Sequence, residues 1–346
     1  MPELPRVQII ARPLLGQALR RATAERTLYA LTLLLAVVAG WLAGASLRAL
    51  AGMVLVLGLT LLPATTVGIR VLRRLGVKAA FGPIVAVIGT ALTFAVFYLV
   101  DGLGTRVALL PWIGFIVYVI PFFVVQLGNR NPRRLGAVAR DYIVVALAIV
   151  LTLPAMQWPL FTVFEPTHFE FSPLLLLGAV FIPACIFLVV RDKPLEQFGL
   201  VMRFDQLDLI WGIGGAAAML AITVPVHIFL GAQPQTPASP ISVVVSLAYF
   251  TVVVALAQEF IYRGLLLGLL IESLSRRRYG VTVALIATSA IFALVRALWA
   301  PNPYLVAATF VSGLALGLLF LRTGRLGAPI LASGLANAVV GLMFLG

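Results

Sequence analysis

Apolar stretches of about 20 residues recur along the whole chain, and few architectures can hold them. Each is long enough to cross a hydrocarbon core of roughly 30 Å as a helix. Inside lipid, every backbone N–H and C=O must be satisfied within the spanning element, so only helices and closed barrels qualify. A barrel would read as alternating segments of about ten residues, and these runs are continuous. The chain is therefore expected to be all-α, a polytopic transmembrane helical bundle. Composition agrees: of 346 residues, 62% are hydrophobic and 11% are charged, where a soluble domain carries roughly a quarter charged.

About eleven spans are expected, at 28–47, 49–69, 80–100, 107–127, 142–162, 173–190, 207–231, 241–271, 281–300, 304–321 and 328–345. Only "LRA" separates the first two, which could be a tight hairpin or one broken segment. Cytoplasmic loops collect Lys and Arg. With the N-terminus inside, the inner segments 1–27, 70–79, 128–141, 191–206, 272–280 and 322–327 hold five, four, four, three, three and two basic residues, 21 of the 25 in the chain. The outer segments hold Arg48 and Arg106, and Arg263 and Arg296 lie within spans. Eleven spans with the N-terminus inside and the C-terminus outside satisfy the rule. The net charge of +13 and the sequence pI near 11.0 thus reflect topology and attraction to anionic lipid, not a nucleic-acid partner. The expected partners are membrane lipids and other membrane protein subunits, and the expected location is a bacterial plasma (inner) membrane.

Three regions are expected: a basic N-terminal segment (1–27), a four-span region (28–135) and a seven-span bundle (136–346). The basic segment is too long for the n-region of a signal peptide. Within it, "PLLGQALRRATAER" could lie on the inner membrane surface as an amphipathic helix, or be a solvated tail. The chain's one cysteine, Cys185, cannot build a disulfide framework or a thiolate zinc site alone, and reads as a small buried apolar residue.

Burying a charge at mid-membrane costs a few kcal/mol or more, so intramembrane ionisable residues are functional candidates. Here they are Glu259, Arg263 and Arg296, with Gln258, Ser333 and Asn337 as polar companions. At 1.5 Å per residue, Glu259, Arg296 and Asn337 lie roughly 18, 22 and 15 Å from the inner ends of their spans. Glu259 with Arg263, Phe292 with Arg296 and Ser333 with Asn337 are each i,i+4 and share a helix face. One polar pocket between three helices is the economical arrangement. His227, near the outer end of its span, is expected to face interfacial water.

At these residues the chain resembles the CAAX-processing and bacteriocin-immunity (CPBP/Abi) intramembrane proteases, which include the type II CAAX prenyl endopeptidases. That family's pattern is Glu-Glu-x-x-x-Arg on one helix, Phe-x-x-x-His on a second and His-x-x-x-Asn or Asp on a third. This chain reads "QEFIYRG", "FALVR" and "APILASGLAN", with "KPLEQFGL" upstream and "GLALGLLFLRTGRLGAPIL" between. The resemblance covers roughly residues 190–346. It implies a membrane-embedded protease fold with site positions at Gln258, Glu259, Arg263, Phe292, Arg296, Ser333 and Asn337. The departures fall on the chemistry. The family's first Glu, thought to activate the attacking water, is Gln258, and its two His are Arg296 and Ser333.

Peptide hydrolysis needs a base beside water and donors for the developing oxyanion. Gln258 has no useful basicity, and Arg296 does not give up its proton. Ser333 lacks a base, since His168 and His227 lie outside the motif helices. Glu259 alone is too small a ligand set for zinc, and no metal or cofactor is expected. Three functions stay open. The first is a catalytically degenerate member of the fold, serving as an accessory, assembly or scaffold subunit or as a lipid- or anion-binding module. The second is an active intramembrane endopeptidase using Glu259, with Arg263 and Asn337 in its catalytic set. The third is a transporter, against which stands the lack of an inverted repeat. Glu259 and Arg263 could form a structural ion pair. Arg296 could neutralise Glu259 as well, or bind an anion.

Overall fold

The computed structural model describes residues 15–42, 65–75, 135–151, 195–200, 204–234, 239–298 and 301–344, with isolated positions between 50 and 61 and between 184 and 193. The expected spans at 80–100 and 107–127, most of those at 49–69 and 173–190, the end of that at 142–162, and Cys185 and His168 lie outside the described residues.

Among the described residues every regular element is helical. They are α1 (Leu15–Leu42), α2 (Thr66–Leu75), α3 (Leu135–Leu151), a short 3-10 turn (Leu195–Phe198), α4 (Gln206–Phe229), α5 (Pro240–Leu274), α6 (Gly280–Ala297), α7 (Pro303–Thr323) and α8 (Gly327–Phe344). The last five are each long and apolar enough to cross a membrane, and the protein is an integral membrane protein. Their ends fall within three residues of the corresponding expected spans.

Polar caps explain those ends. Asp205 accepts from the N–H groups of Leu207 and Asp208, and Asp208 accepts from the N–H of Asp205, all at 3.1 Å. This reciprocal capping satisfies donors that the first turn of α4 leaves open. Ser239 caps α5 and Asn302 caps α7, each followed by a proline at the first helical position, where a missing N–H costs nothing.

The N-terminal helices depart from the expected limits. α1 runs unbroken from Leu15, well ahead of residue 28. "QALRRATAER" is made of strong helix formers, so the helix does not stop where the apolar run does. α2 starts at Thr66, inside the expected span 49–69, because the Thr65 hydroxyl accepts from the Gly68 N–H at 2.9 Å and opens a new helix. α3 starts at Leu135 rather than 142 and takes Arg140 and Asp141 into the helix.

α5 is the centre of the bundle. Phe260, Ile261, Leu265 and Leu267 are fully buried. α4 packs along α8, α6 packs along α7, and α5 touches α1, α3, α6 and α8. The Tyr142 hydroxyl ties α3 to α5 through the Leu269 carbonyl at 3.1 Å and the Ser273 hydroxyl at 2.7 Å.

One end of the bundle is held by the segment "KPLEQFGL". Leu195 and Phe198 are buried, and Gly264 of α5 lies so close that a Cβ there would stand 2.8 Å from the Phe198 carbonyl oxygen. Gly199 turns the chain at φ 70°, a left-handed conformation natural to glycine, and its carbonyl accepts from the Leu326 N–H at 3.0 Å. Lys193 pairs with Glu272 at 2.7 Å. Arg325 reaches Asp205 at 2.7 Å and Asp208 at 3.3 Å.

Two outcomes test this packing. At Gly334 of α8 a Cβ would stand 2.5 Å from Thr251 Oγ1 and 2.6 Å from Thr251 Cα, whereas at Gly214 it would meet nothing within 4 Å. Gly334→Val is expected to cost about 1–3 kcal/mol by overpacking. It should lower the thermal midpoint of the detergent-solubilised chain, and Gly214→Ala should not. The hydrogen bond from Arg325 holds the Asp205 carboxyl below its usual range. A depressed folded pKa stabilises above the unfolded carboxylate value of about 3.9 and loses that contribution as pH falls through the folded value. Acid unfolding curves should show this loss in the wild type and a shallower slope in Arg325→Gln.

Candidate functional site

The site is built on α5, which is not a uniform α-helix. Tyr249–Ala255 and Phe260–Leu267 are π-helical, with Leu256–Glu259 as one α turn between them. Widened turns change which residues share a face. Here Gln258 and Glu259 point into different surroundings. Gln258 is half-buried on the wall of a cavity, while Glu259 is 0% exposed and is not part of that wall.

Glu259 is bound to Arg263, one turn along, which is itself 1% exposed. Arg263 Nη1 donates to Glu259 Oε1 at 3.3 Å, and Nε lies 3.2 Å from Oε2. The second contact is a charge contact, since Oε2 has no hydrogen-bond donor. Arg263 Nη2 reaches the Gly313 carbonyl of α7 at 3.5 Å. Its guanidinium carbon sits 4.4 Å from the ring centroid of Phe292 on α6, a cation–π arrangement. Phe292 in turn meets Tyr262 edge-on at 4.9 Å. The pair therefore joins α5 to α6 and α7, and it is sealed from solvent.

The cavity lies between α4, α5, α6, α7 and α8 and has a volume of about 150 Å³. Gln258, Phe292, Arg296, Ser333 and Asn337 all line it. Asn337 Nδ2 donates to Ser333 Oγ at 3.3 Å, and Ser333 also faces the Glu259 carboxylate from the far side of the wall. The structure thus brings all seven motif positions into one region, but in two compartments. Five helices enclose the cavity, two more than the three expected.

Arg296 is placed differently from the expectation that it could neutralise Glu259. It lies in the last turn of α6. No carboxylate pairs with its side chain and nothing hydrogen-bonds to its guanidinium among the described residues. The reason is geometric: Arg263 already occupies Glu259 from within the same helix, and Arg296 sits on the cavity side at the helix end.

Sequence reasoning missed several cavity residues. His227 of α4, near the outer end of its span, also lines the cavity. Its Nδ1 is 2.8 Å from the Thr223 carbonyl oxygen, and its ring stacks on Phe344 at 5.0 Å. Thr223, Thr309 and Ser312 also contribute to the wall. The Ser312 hydroxyl is buried and has no hydrogen-bond partner. The available signal was weak but present: each is a polar residue within an otherwise apolar span. No cluster of three or more His, Cys, Asp or Glu side chains that could hold a metal occurs among the described residues.

Residues 240–339 match the family model described as type II CAAX prenyl endopeptidase Rce1-like. The match runs from the start of α5 into α8 and includes every motif position from Gln258 to Asn337. No curated protein and no solved structure matches the chain. The C-terminal helices of this membrane protein are therefore similar to a CAAX-type endopeptidase, with the substitutions at Gln258, Arg296 and Ser333 lying inside the matched stretch.

The buried pair gives a direct stability test. Removing one partner leaves an uncompensated buried charge, at a cost of about 3–5 kcal/mol, while replacing both with apolar residues is often neutral. Arg263→Met alone is expected to lower the thermal midpoint sharply. Glu259→Leu with Arg263→Met should recover most of that loss in the same melting assay.

Proposed function

We propose that the protein is a non-hydrolytic member of the CAAX-type intramembrane protease group, whose cavity holds a ligand instead of cleaving a peptide. The observation that carries this is the division of the site. The one carboxylate at the motif, Glu259, is fully buried against Arg263, while the residue at the cavity wall beside it is Gln258. No group on the wall combines basicity with the place where the family's water-activating Glu would stand. The wall keeps hydrogen-bonding side chains, a cation and apolar surface, which suit binding. Arg296, whose side chain is unpaired among the described residues, favours a lipid- or anion-holding module. An accessory or scaffold subunit is the second form of the same proposal, with the N-terminal helices offering a lateral docking surface.

In this proposal the chain crosses a bacterial plasma membrane eleven times with its N-terminus inside. The distribution of charge along the described bundle supports that orientation. Lys193, Arg276, Arg277, Arg278, Arg322 and Arg325 all gather at the end where α5 and α7 finish and α4, α6 and α8 begin. By the positive-inside rule that end is cytoplasmic. His227, Arg296 and Leu305 then mark the outer end of the cavity.

The test is incubation of the purified full chain, in lipid nanodiscs, with a prenylated peptide ending in a CAAX-type sequence. Products are read by mass spectrometry. No cleavage is expected from the wild type. Cleavage that disappears in a Glu259→Gln or Asn337→Ala variant still eluting as a folded species would overturn the proposal and favour the active-endopeptidase reading.

A further inference from the structure

We infer that the cavity between α4 and α8 is an oxyanion site, with Arg296 as the cation that binds a phosphate group. The inference rests on the ligand-holding reading above and names its chemistry. Arg296 lines the cavity and has no counter-charge or hydrogen-bond partner among the described residues. Among the described residues the cavity wall contains no Asp or Glu. Glu259, the nearest acid at the motif, is neutralised by Arg263 on the other side of the wall. Arg296 is an exposed residue in the last turn of α6, so its guanidinium is open to an incoming anion at that end of the cavity.

The remaining polar groups also fit an oxyanion. Ser312 is 3% exposed and lines the cavity, and its hydroxyl has no partner. An unsatisfied buried hydroxyl is costly unless a ligand or water completes it. Asn337 uses one amide hydrogen on Ser333 and keeps a second. Gln258 presents a further amide to the same space. Among the described residues His227, on α4, is the other ionisable side chain on the wall, and it carries no negative charge. Polar side chains from four other helices line the same cavity as this guanidinium. The guanidinium fork matches phosphate oxygens in pairs. A volume of about 150 Å³ admits a phosphate group with only a short attached portion. The phosphate could belong to a lipid headgroup or to a soluble phosphate, and the chemistry of recognition is shared.

The experiment is a thermal-shift titration of the full detergent-purified chain with two probes. One is inorganic phosphate at constant ionic strength. The other is dioleoyl phosphatidic acid doped into the micelles, with phosphatidylcholine as background. Wild type, Arg296→Gln and Arg296→Lys are compared. Arg296 is exposed and its side chain makes no ion pair or hydrogen bond among the described residues, so all three should unfold at similar temperatures without ligand. A rise in wild-type midpoint that needs about tenfold or more ligand in Arg296→Gln, and is partly restored in Arg296→Lys, supports the site. A response to phosphatidic acid alone identifies a lipid headgroup, and a response to inorganic phosphate alone identifies a soluble anion. No response to either probe, or an equal response in wild type and Arg296→Gln, overturns the inference. Peptide cleavage is scored separately: cleavage together with Arg296-dependent phosphate binding would sink the non-hydrolytic reading and leave the oxyanion site standing.

Discussion

The ion pair between Glu259 and Arg263 is the constraint around which the C-terminal bundle is arranged. A carboxylate and a guanidinium, both essentially unexposed, sit in the middle of the most buried helix. Neither could stay there alone, because the low-dielectric surroundings penalise an unpaired charge far more than a paired one. Their pairing within one helix frees the neighbouring helices to make close, mostly apolar contacts. Gly313 on α7 lends its carbonyl to Arg263, and Phe292 on α6 places its ring against the guanidinium. The pair thus acts as a cross-link among three helices as well as a neutral unit within one.

The same pairing decides what the cavity can do. With Glu259 committed to Arg263, the chamber bounded by α4 to α8 is left with amides, hydroxyls, an imidazole and the guanidinium of Arg296. A protease of this type would need a base there. The chain has instead a neutral amide at Gln258, a cation at Arg296 and a hydroxyl at Ser333. The likeness to CAAX-type endopeptidases over residues 240–339 therefore concerns the helical framework and its packing.

Much of this framework was legible in the amino-acid order. Long apolar runs interrupted by Asp205, Ser239 with Pro240, and Asn302 with Pro303 mark the helix ends within a few residues, since hydrophobic length and capping are local signals. The i,i+4 spacing of Glu259 and Arg263 likewise put them on one face. The spacing could not decide which arginine neutralises the carboxylate. That depends on the π-helical turns of α5 and on Arg296 lying in the last turn of α6, neither of which leaves a periodic trace. Ser312 escaped notice, and the cavity-facing side of His227 was not legible, because a single polar residue in an apolar span gives its depth but not the direction it faces. α1 and α2 differed for a related reason: helix propensity and the Thr65 cap set their limits, while hydropathy alone marks the apolar part.

The central claim is that the motif carboxylate is locked away from the cavity while Arg296 faces it alone. An experimental density map of the full chain in nanodiscs, at a resolution that separates side chains on α5 and α6, would test this most directly. The account requires Glu259 within ion-pair distance of Arg263 and behind the wall, Gln258 on the cavity side, and Arg296 free of any carboxylate. A map with Glu259 turned into the cavity beside ordered water, and Arg263 or Arg296 bonded elsewhere, would contradict it.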